Sequence, residues 1–249
     1  MPIFFTHIQK VAGTSFKKSV IYPNIDEQDI YSPSGMWQLL KNRERKFQFL
    51  DGHYLYGAHW FAKRRGPNIY FSILREPLDR CVSYYYFVRQ CDTPDYKHPN
   101  LQDVKQLDIA QLYSLEKYRN RQTKSTAGFL ATRLAAYLPG RAANSLLLSQ
   151  AKHNLSRCYA AFGLFERIEE FQALVAKMMG WKNLNVRDQT KTSHHRPKVR
   201  EITPEVKQAI LDRNGLDVQL YRFAADLYQQ RLDSWQGKSL ANVLFLGEN

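Results

Sequence analysis

The sequence holds only three cysteines, Cys81, Cys91 and Cys158, an odd number at wide spacing. They form neither a disulfide framework nor a zinc motif, and a reducing compartment is the simplest setting for them. No apolar run reaches 18 residues, so a bilayer-spanning helix is not expected. Met1 to Thr6 runs straight into the first motif and leaves no room for a charged and apolar signal segment, so the expected location is cytoplasmic. Acidic residues are scarce, with 23 Asp and Glu against 36 Lys and Arg, a net charge of +13. That excess calls for an anionic partner, and charge alone leaves a nucleotide, a polyanionic glycan, nucleic acid and a membrane surface all open. Internal repeats and low-complexity tracts are missing too. What remains is 249 residues, 44% hydrophobic and 13% aromatic, enough for the core of one large domain.

Apolar patterning along the chain alternates between strand and helix. Ile3 to Thr6 is a short β-rich run, followed by a turn at Gly13 and a segment from Thr14 to Ile21 that opens as a helix. Phe47 to Leu50 and Asn68 to Leu74 are further strand candidates. Pro77 then stands where a helix begins, and Leu78, Val82, Tyr85 and Tyr86 recur at helical spacing. Residues 101 to 159 read as helical with a break at Pro139 and Gly140. Ala160 to Leu164 reads as a buried strand, and Glu166 to Met179 as a helix closed by Gly180. Asn183 to Pro204, with Arg187, Lys191, Arg196, Lys198 and Arg200, reads as a long basic loop before the final helices. The alternation predicts an α/β fold, a mainly parallel central sheet flanked by helices in a single domain.

Two segments carry chemistry. His7 to Ser15 (His-Ile-Gln-Lys-Val-Ala-Gly-Thr-Ser) lies between a strand and a helix, the geometry that turns backbone N–H groups and a helix dipole towards an anion. Lys10 adds a point charge, and Thr14 and Ser15 add hydroxyls. The order is wrong for the ATPase phosphate loop, since Lys10 precedes Gly13. Taken alone, the segment is equally a glycine turn beside a solvated lysine. The second segment, Ile73-Leu74-Arg75-Glu76-Pro77 through Ser83-Tyr84-Tyr85-Tyr86-Phe87, ends a strand on an arginine and places a serine in the following helix. An arginine fork and a hydroxyl so placed suit a phosphate at the carboxyl edge of the sheet. Tyr85 and Tyr86 read as packed helix residues. His53 and His59 are the candidates for removing a proton from an attacking hydroxyl.

Together these segments resemble the 3'-phosphoadenosine 5'-phosphosulfate (PAPS)-dependent sulfotransferases related to the heparan sulfate 2-O- and 6-O-enzymes and their bacterial relatives. The resemblance implies a fold like that of the P-loop nucleotide hydrolases, with residues 92–150 a mainly helical insertion on the acceptor side. It implies that Lys10, Ala12, Gly13, Thr14 and Ser15 hold the 5'-phosphosulfate, and that Arg75 and Ser83 hold the 3'-phosphate. Lys191, Ser193 and Arg196, in Lys191-Thr192-Ser193-His194-His195-Arg196, match a loop that closes over the donor. A Gly-His after the second core strand supplies the base in that family, which points to His53, with His59 as the alternative. Gln9 replaces a usual proline, and Asp51 stands where the 2-O-enzymes carry another histidine.

The implied reaction is in-line transfer of a sulfonyl group to a hydroxyl of a saccharide or other polyhydroxylated acceptor. The product is 3'-phosphoadenosine 5'-phosphate (PAP), and no metal is required. The adjacent His194 and His195 lack further ligands at metal spacing. No nucleic-acid partner is expected, for want of a reading motif. Two other readings stay open on the residues alone: a nucleotide kinase with an atypical phosphate loop, and a non-enzymatic protein that binds polyanions.

Overall fold

A computed structural model describes residues 1–63, 66–185 and 196–236, with side chains described as far as Leu232. Five strands form one sheet: β1 (Ile3–Thr6), β2 (Ile30–Tyr31), β3 (Phe49–Leu50), β4 (Ile69–Leu74) and β5 (Ala161–Leu164), in the order β2-β3-β1-β4-β5. Each neighbouring pair is parallel. The α/β class and the parallel sheet expected from the sequence are therefore what the chain adopts. β2, two residues at the edge, is too short to leave a periodic signal.

A parallel sheet covered on both faces needs strands that are apolar throughout rather than alternating. β1, β4 and β5 are buried along their whole length. Small hydroxyls inside them are paired: Ser72 Oγ donates to the Thr6 carbonyl at 3.1 Å, and Thr6 Oγ1 accepts from Tyr159 Oη, just before β5, at 2.9 Å. Phe4, Phe49, Phe71 and Phe162 on the strands pack with Phe16 and Phe171 of the covering helices into the main core.

The helices are α1 (Gly13–Phe16), which continues as a π-helical turn over Lys17–Ile21, α2 (Met36–Lys41), α3 (Ala58–Phe61) and α4 (Pro77–Gln90). Then come α5 (Leu101–Gln106), α6 (Ile109–Ser114), α7 (Arg121–Ala127), α8 (Phe129–Ala135) and α9 (Gly140–Arg157). α10 (Ile168–Met179), α11 (Pro204–Arg213) and α12 (Gly215–Gln236) complete the chain. Pro77 does open α4, and Glu76 caps it by accepting from the Leu78 and Asp79 N–H groups at 3.0 and 2.6 Å. Gly180 ends α10 in the left-handed conformation that a helix stop favours. A second apolar cluster joins α4 to α5, α6 and α11 through Val82, Tyr85, Val104, Leu112, Tyr113 and Ile210. Among the described residues no helix is long and apolar enough to cross a membrane.

After β1 the chain moves towards β2 on one side of the sheet, and after β4 it moves to β5 on the other. Ligands of open α/β sheets bind where neighbouring strands diverge in this way, outside their carboxyl ends. β1 and β4 are such neighbours, and Lys10 and Arg75 follow them.

Candidate active site

The loop after β1 holds two non-glycine residues in the left-handed region, Lys10 at φ 67° and Ala12 at φ 63°. Each such residue costs about 1–3 kcal/mol, a strain that persists where surrounding contacts enforce it and that clusters at ligand sites. Gly13 serves a different purpose from the turn glycine predicted. A Cβ there would lie 2.2 Å from the His7 ring and 2.9 Å from Phe5, so glycine lets α1 start directly against His7. Thr14 and Ser15 follow in the first turn of α1, where backbone N–H groups have no carbonyl one turn earlier within the helix.

Arg75 ties the two motifs together. Its Nη1 donates to the Lys10 carbonyl at 2.9 Å, while Nε donates to Asp79 Oδ2 at 2.8 Å and Nη2 bonds the same carboxylate. The guanidinium also stacks on Phe165 at 3.8 Å. Three of the five N–H donors are thereby used, which leaves two for an anion. Arg196 joins from the far end of the chain, its Nη1 2.6 Å from Asp79 Oδ1. Burial works against the Asp79 charge, but the two arginines outweigh it and hold the carboxyl below its usual range.

The backbone of Arg75 is fixed by Gln122, fully buried on α7. Its Oε1 accepts from the Arg75 N–H and its Nε2 donates to the Arg75 carbonyl, both at 2.9 Å. Ser83 is buried on the α4 stripe that also carries Asp79 and Phe87, one turn to either side. Lys10 Nζ lies 4.1 Å over the Phe87 ring, so lysine, arginine and serine face the same side of α4. Lys191 and Ser193 lie outside the described residues, as do His194 and His195.

His53 follows β3 and leans on the β1 loop. Its Nδ1 is 2.8 Å from the His7 carbonyl, and its ring stacks on the His7 ring with centroids 4.1 Å apart. A carbonyl only accepts, so Nδ1 carries the proton and Nε2 keeps its lone pair. Although much of the His53 ring faces the cleft, desolvation lowers its pKa, and Lys17 and Arg121 lower it further. The His7 carbonyl and Asp51 oppose them. His7 is buried, with its pKa well below the ordinary value, chiefly through loss of water. Its Nδ1 finds no hydrogen-bond partner among the described residues.

Asp51 is bonded by Lys17 and by the Tyr22 hydroxyl at 2.8 Å, and so pins the loop before His53 to α1. The loop after His53 is stitched to α7 and α8, with Tyr56 donating to the Ser125 carbonyl and accepting from Phe129, both at 3.0 Å. Gly128, at φ 94°, permits this, because a Cβ would come within 2.6 Å of the Tyr56 oxygen. His59 sits elsewhere. Its Nδ1 is 2.9 Å from the Tyr70 hydroxyl, within an aromatic cluster of Phe4, Tyr56, Trp60 and Tyr70. It borders neither of the cavities described next.

Two adjoining cavities open beside His53. One is lined by His7, Gln9, His53, Arg80, Arg121 and Ser125 among others. The second, about 230 Å³, is lined by Gln9, Arg80, Arg121 and the side chains beyond them. The shared residues make the two one cleft. Sequence reasoning missed His7, Arg80, Arg121 and Gln122. Gln122 and Arg80 carry no local signal, since their importance comes from partners distant in sequence. Tyr84, one residue outside the tyrosine pair assigned to packing, borders the second cavity. Among the described residues no three His, Cys, Asp or Glu side chains stand close enough to share a metal ion.

Comparison with known proteins adds to this geometry. The profile of the sulfotransferase family matches residues 1–224. The chain is 26% identical over 263 residues to heparan sulfate 2-O-sulfotransferase 1 of Pongo abelii, an alignment covering 92% of this chain and 71% of that protein. It is also 26% identical over 274 residues to heparan-sulfate 6-O-sulfotransferase 3 of Homo sapiens, covering 92% of this chain and 58% of that one.

Proposed function

The chain belongs to the sulfotransferase family, and from that premise we propose that it transfers a sulfonyl group from PAPS to a hydroxyl of a saccharide by in-line displacement. One observation carries the reading: Arg75 bonds the carbonyl of Lys10 at the diverging ends of β1 and β4, with His53 on the same loop's other flank. A donor held there meets a lysine, an arginine and helix N–H groups on one side and a neutral imidazole on the other. The saccharide acceptor is suggested by the names of the relatives, whose similarity extends over most of this chain.

The roles follow from the chemistry. The N–H groups of Ala12 to Ser15 and the Thr14 and Ser15 hydroxyls receive the 5'-phosphosulfate. The remaining N–H groups of Arg75, the Ser83 hydroxyl and Arg196 receive the 3'-phosphate, assisted by Lys191 and Ser193. The acceptor oxygen attacks sulfur as its proton passes to His53 Nε2. The bond from sulfur to the bridging oxygen breaks, and Lys10 balances the charge that builds on that oxygen as PAP leaves. Catalysis of this kind rests on positioning and on electrostatic stabilisation of developing charge. Residues 92–150 then supply acceptor contacts.

Thermal unfolding with PAP and with ATP plus magnesium tests the donor assignment. PAP raises the melting temperature in a saturable way, ATP does so weakly, and Arg75→Ala loses most of the PAP effect. Equal stabilisation by ATP, or full PAP affinity in Arg75→Ala, contradicts it.

A further inference from the structure

We infer that the cavity beyond Gln9 is an anion subsite that takes an acidic group, a carboxylate or a sulfate ester, on the acceptor, with Arg80 and Arg121 as its ligands. Helix geometry places it beside the donor stripe, about 100° round α4. Residues 79, 83 and 87 form one stripe of α4, and Arg196 and Lys10 approach it there. Arg80 and Tyr84 form the neighbouring stripe, and they line the 230 Å³ cavity with Asn100, Tyr113, Lys117 and Arg121. The cavity joins His53 through Gln9, Arg80 and Arg121, which line both parts of the cleft.

Arg80 is 2% exposed, yet its Nε has no hydrogen-bond partner among the described residues. Its neighbouring carboxylate, Asp217, is 3.9 Å from Nη2 and is already engaged: Oδ1 accepts from the Thr123 N–H and Oγ1 at 2.8 Å, and Oδ2 accepts from the Gln122 N–H at 3.2 Å. The guanidinium that lines the cavity is thus short of acceptors, and an anion arriving there supplies one. Arg121 stands at the start of α7, where Asn120 Oδ1 accepts from the Leu216 and Asp217 N–H groups. Asn120 in turn donates its N–H to Asn214 Oδ1. This exchange with the start of α12 fixes where the second guanidinium is presented. Lys117 stands at the rim, where Asp103 pairs with its ammonium at 2.5 Å, and among the described residues no carboxylate lines the cavity itself.

The inference rests on the proposed activity only in making the anion part of a saccharide acceptor. Its test uses PAP-saturated protein and two simple probes, inorganic sulfate and glucuronate, read by thermal unfolding. Wild type shows a saturable rise in melting temperature with one or both probes, and the probe acting at the lower concentration identifies the preferred group. Arg121→Ala keeps its stabilisation by PAP but needs roughly tenfold more probe or beyond, the loss expected of a hydrogen bond to a charged group. The variant also subtracts the general stabilisation that sulfate gives any folded protein. Arg121→Lys, which keeps the charge without the planar fork, falls between. No saturable response in wild type, equal response in Arg121→Ala, or loss of PAP stabilisation in Arg121→Ala each overturns the inference. Arg121-dependent anion binding in a protein that sulfates no saccharide upholds the subsite and removes the acceptor proposal instead.

Discussion

His53, the base we propose, is held by His7 on two sides, the carbonyl fixing its tautomer and the ring stacking on it. Replacing it with alanine is expected to lower kcat by roughly 10²–10⁴-fold, the contribution of a general base, while PAP binding stays intact. Because its pKa is lowered, the imidazole stays neutral and competent as pH falls through the ordinary value near 6.5. The acid limb of kcat/KM therefore lies below that pH, and a limb above it contradicts the assignment. His7 affects stability by the same sign. Its pKa is lower in the folded than in the unfolded chain, so the unfolded state takes up the proton first and stability falls as pH drops below the unfolded value. Between about pH 7.5 and 5.5, the denaturant midpoint of wild type should fall more than that of His7→Phe, which keeps a stacked ring without the titration.

At the scale of elements, the site depends on turns whose partners come from elsewhere in the chain. Gln122→Ala leaves the buried N–H and carbonyl of Arg75 without their partner, and a loss of about 1–3 kcal/mol is expected in chemical denaturation. Weaker PAP binding should accompany it, since Arg75 holds the Lys10 carbonyl. Gly13→Ala drives a methyl into the His7 ring and should cost about 1–3 kcal/mol as an overpacking change. Much of the strand-helix order was legible in advance because the buried strands are mostly apolar and the helix signals at Pro77, Pro139 and Gly180 are local. That Lys10, Arg75 and His53 gather around the loop after β1 was legible through motif order and the family resemblance. What stayed hidden was relational: the left-handed Lys10 and Ala12, the clamp from Gln122, and the placing of Arg80 and Arg121 on one cleft all depend on residues distant in sequence.

Over the whole molecule, the proposed donor stripe lies on one face of α4 and the arginine-lined cleft on the next. The net charge of +13 would raise the local concentration of the proposed anionic donor and acceptor alike. The KM for PAPS should therefore rise with ionic strength while kcat changes little, because steering is screened over about 10 Å at 0.1 M salt. The central claim is that this site transfers a sulfonyl group, with His53 receiving the acceptor's proton. Transfer of radiolabel from ³⁵S-PAPS to a uronate-containing polysaccharide tests it most directly, run side by side with wild type and with a His53→Ala protein shown to keep its stabilisation by PAP. The account predicts labelled polysaccharide from wild type and a rate roughly 10²-fold lower or less from the variant; equal labelling by the two proteins, or none from wild type across sulfated and unsulfated saccharides, contradicts it.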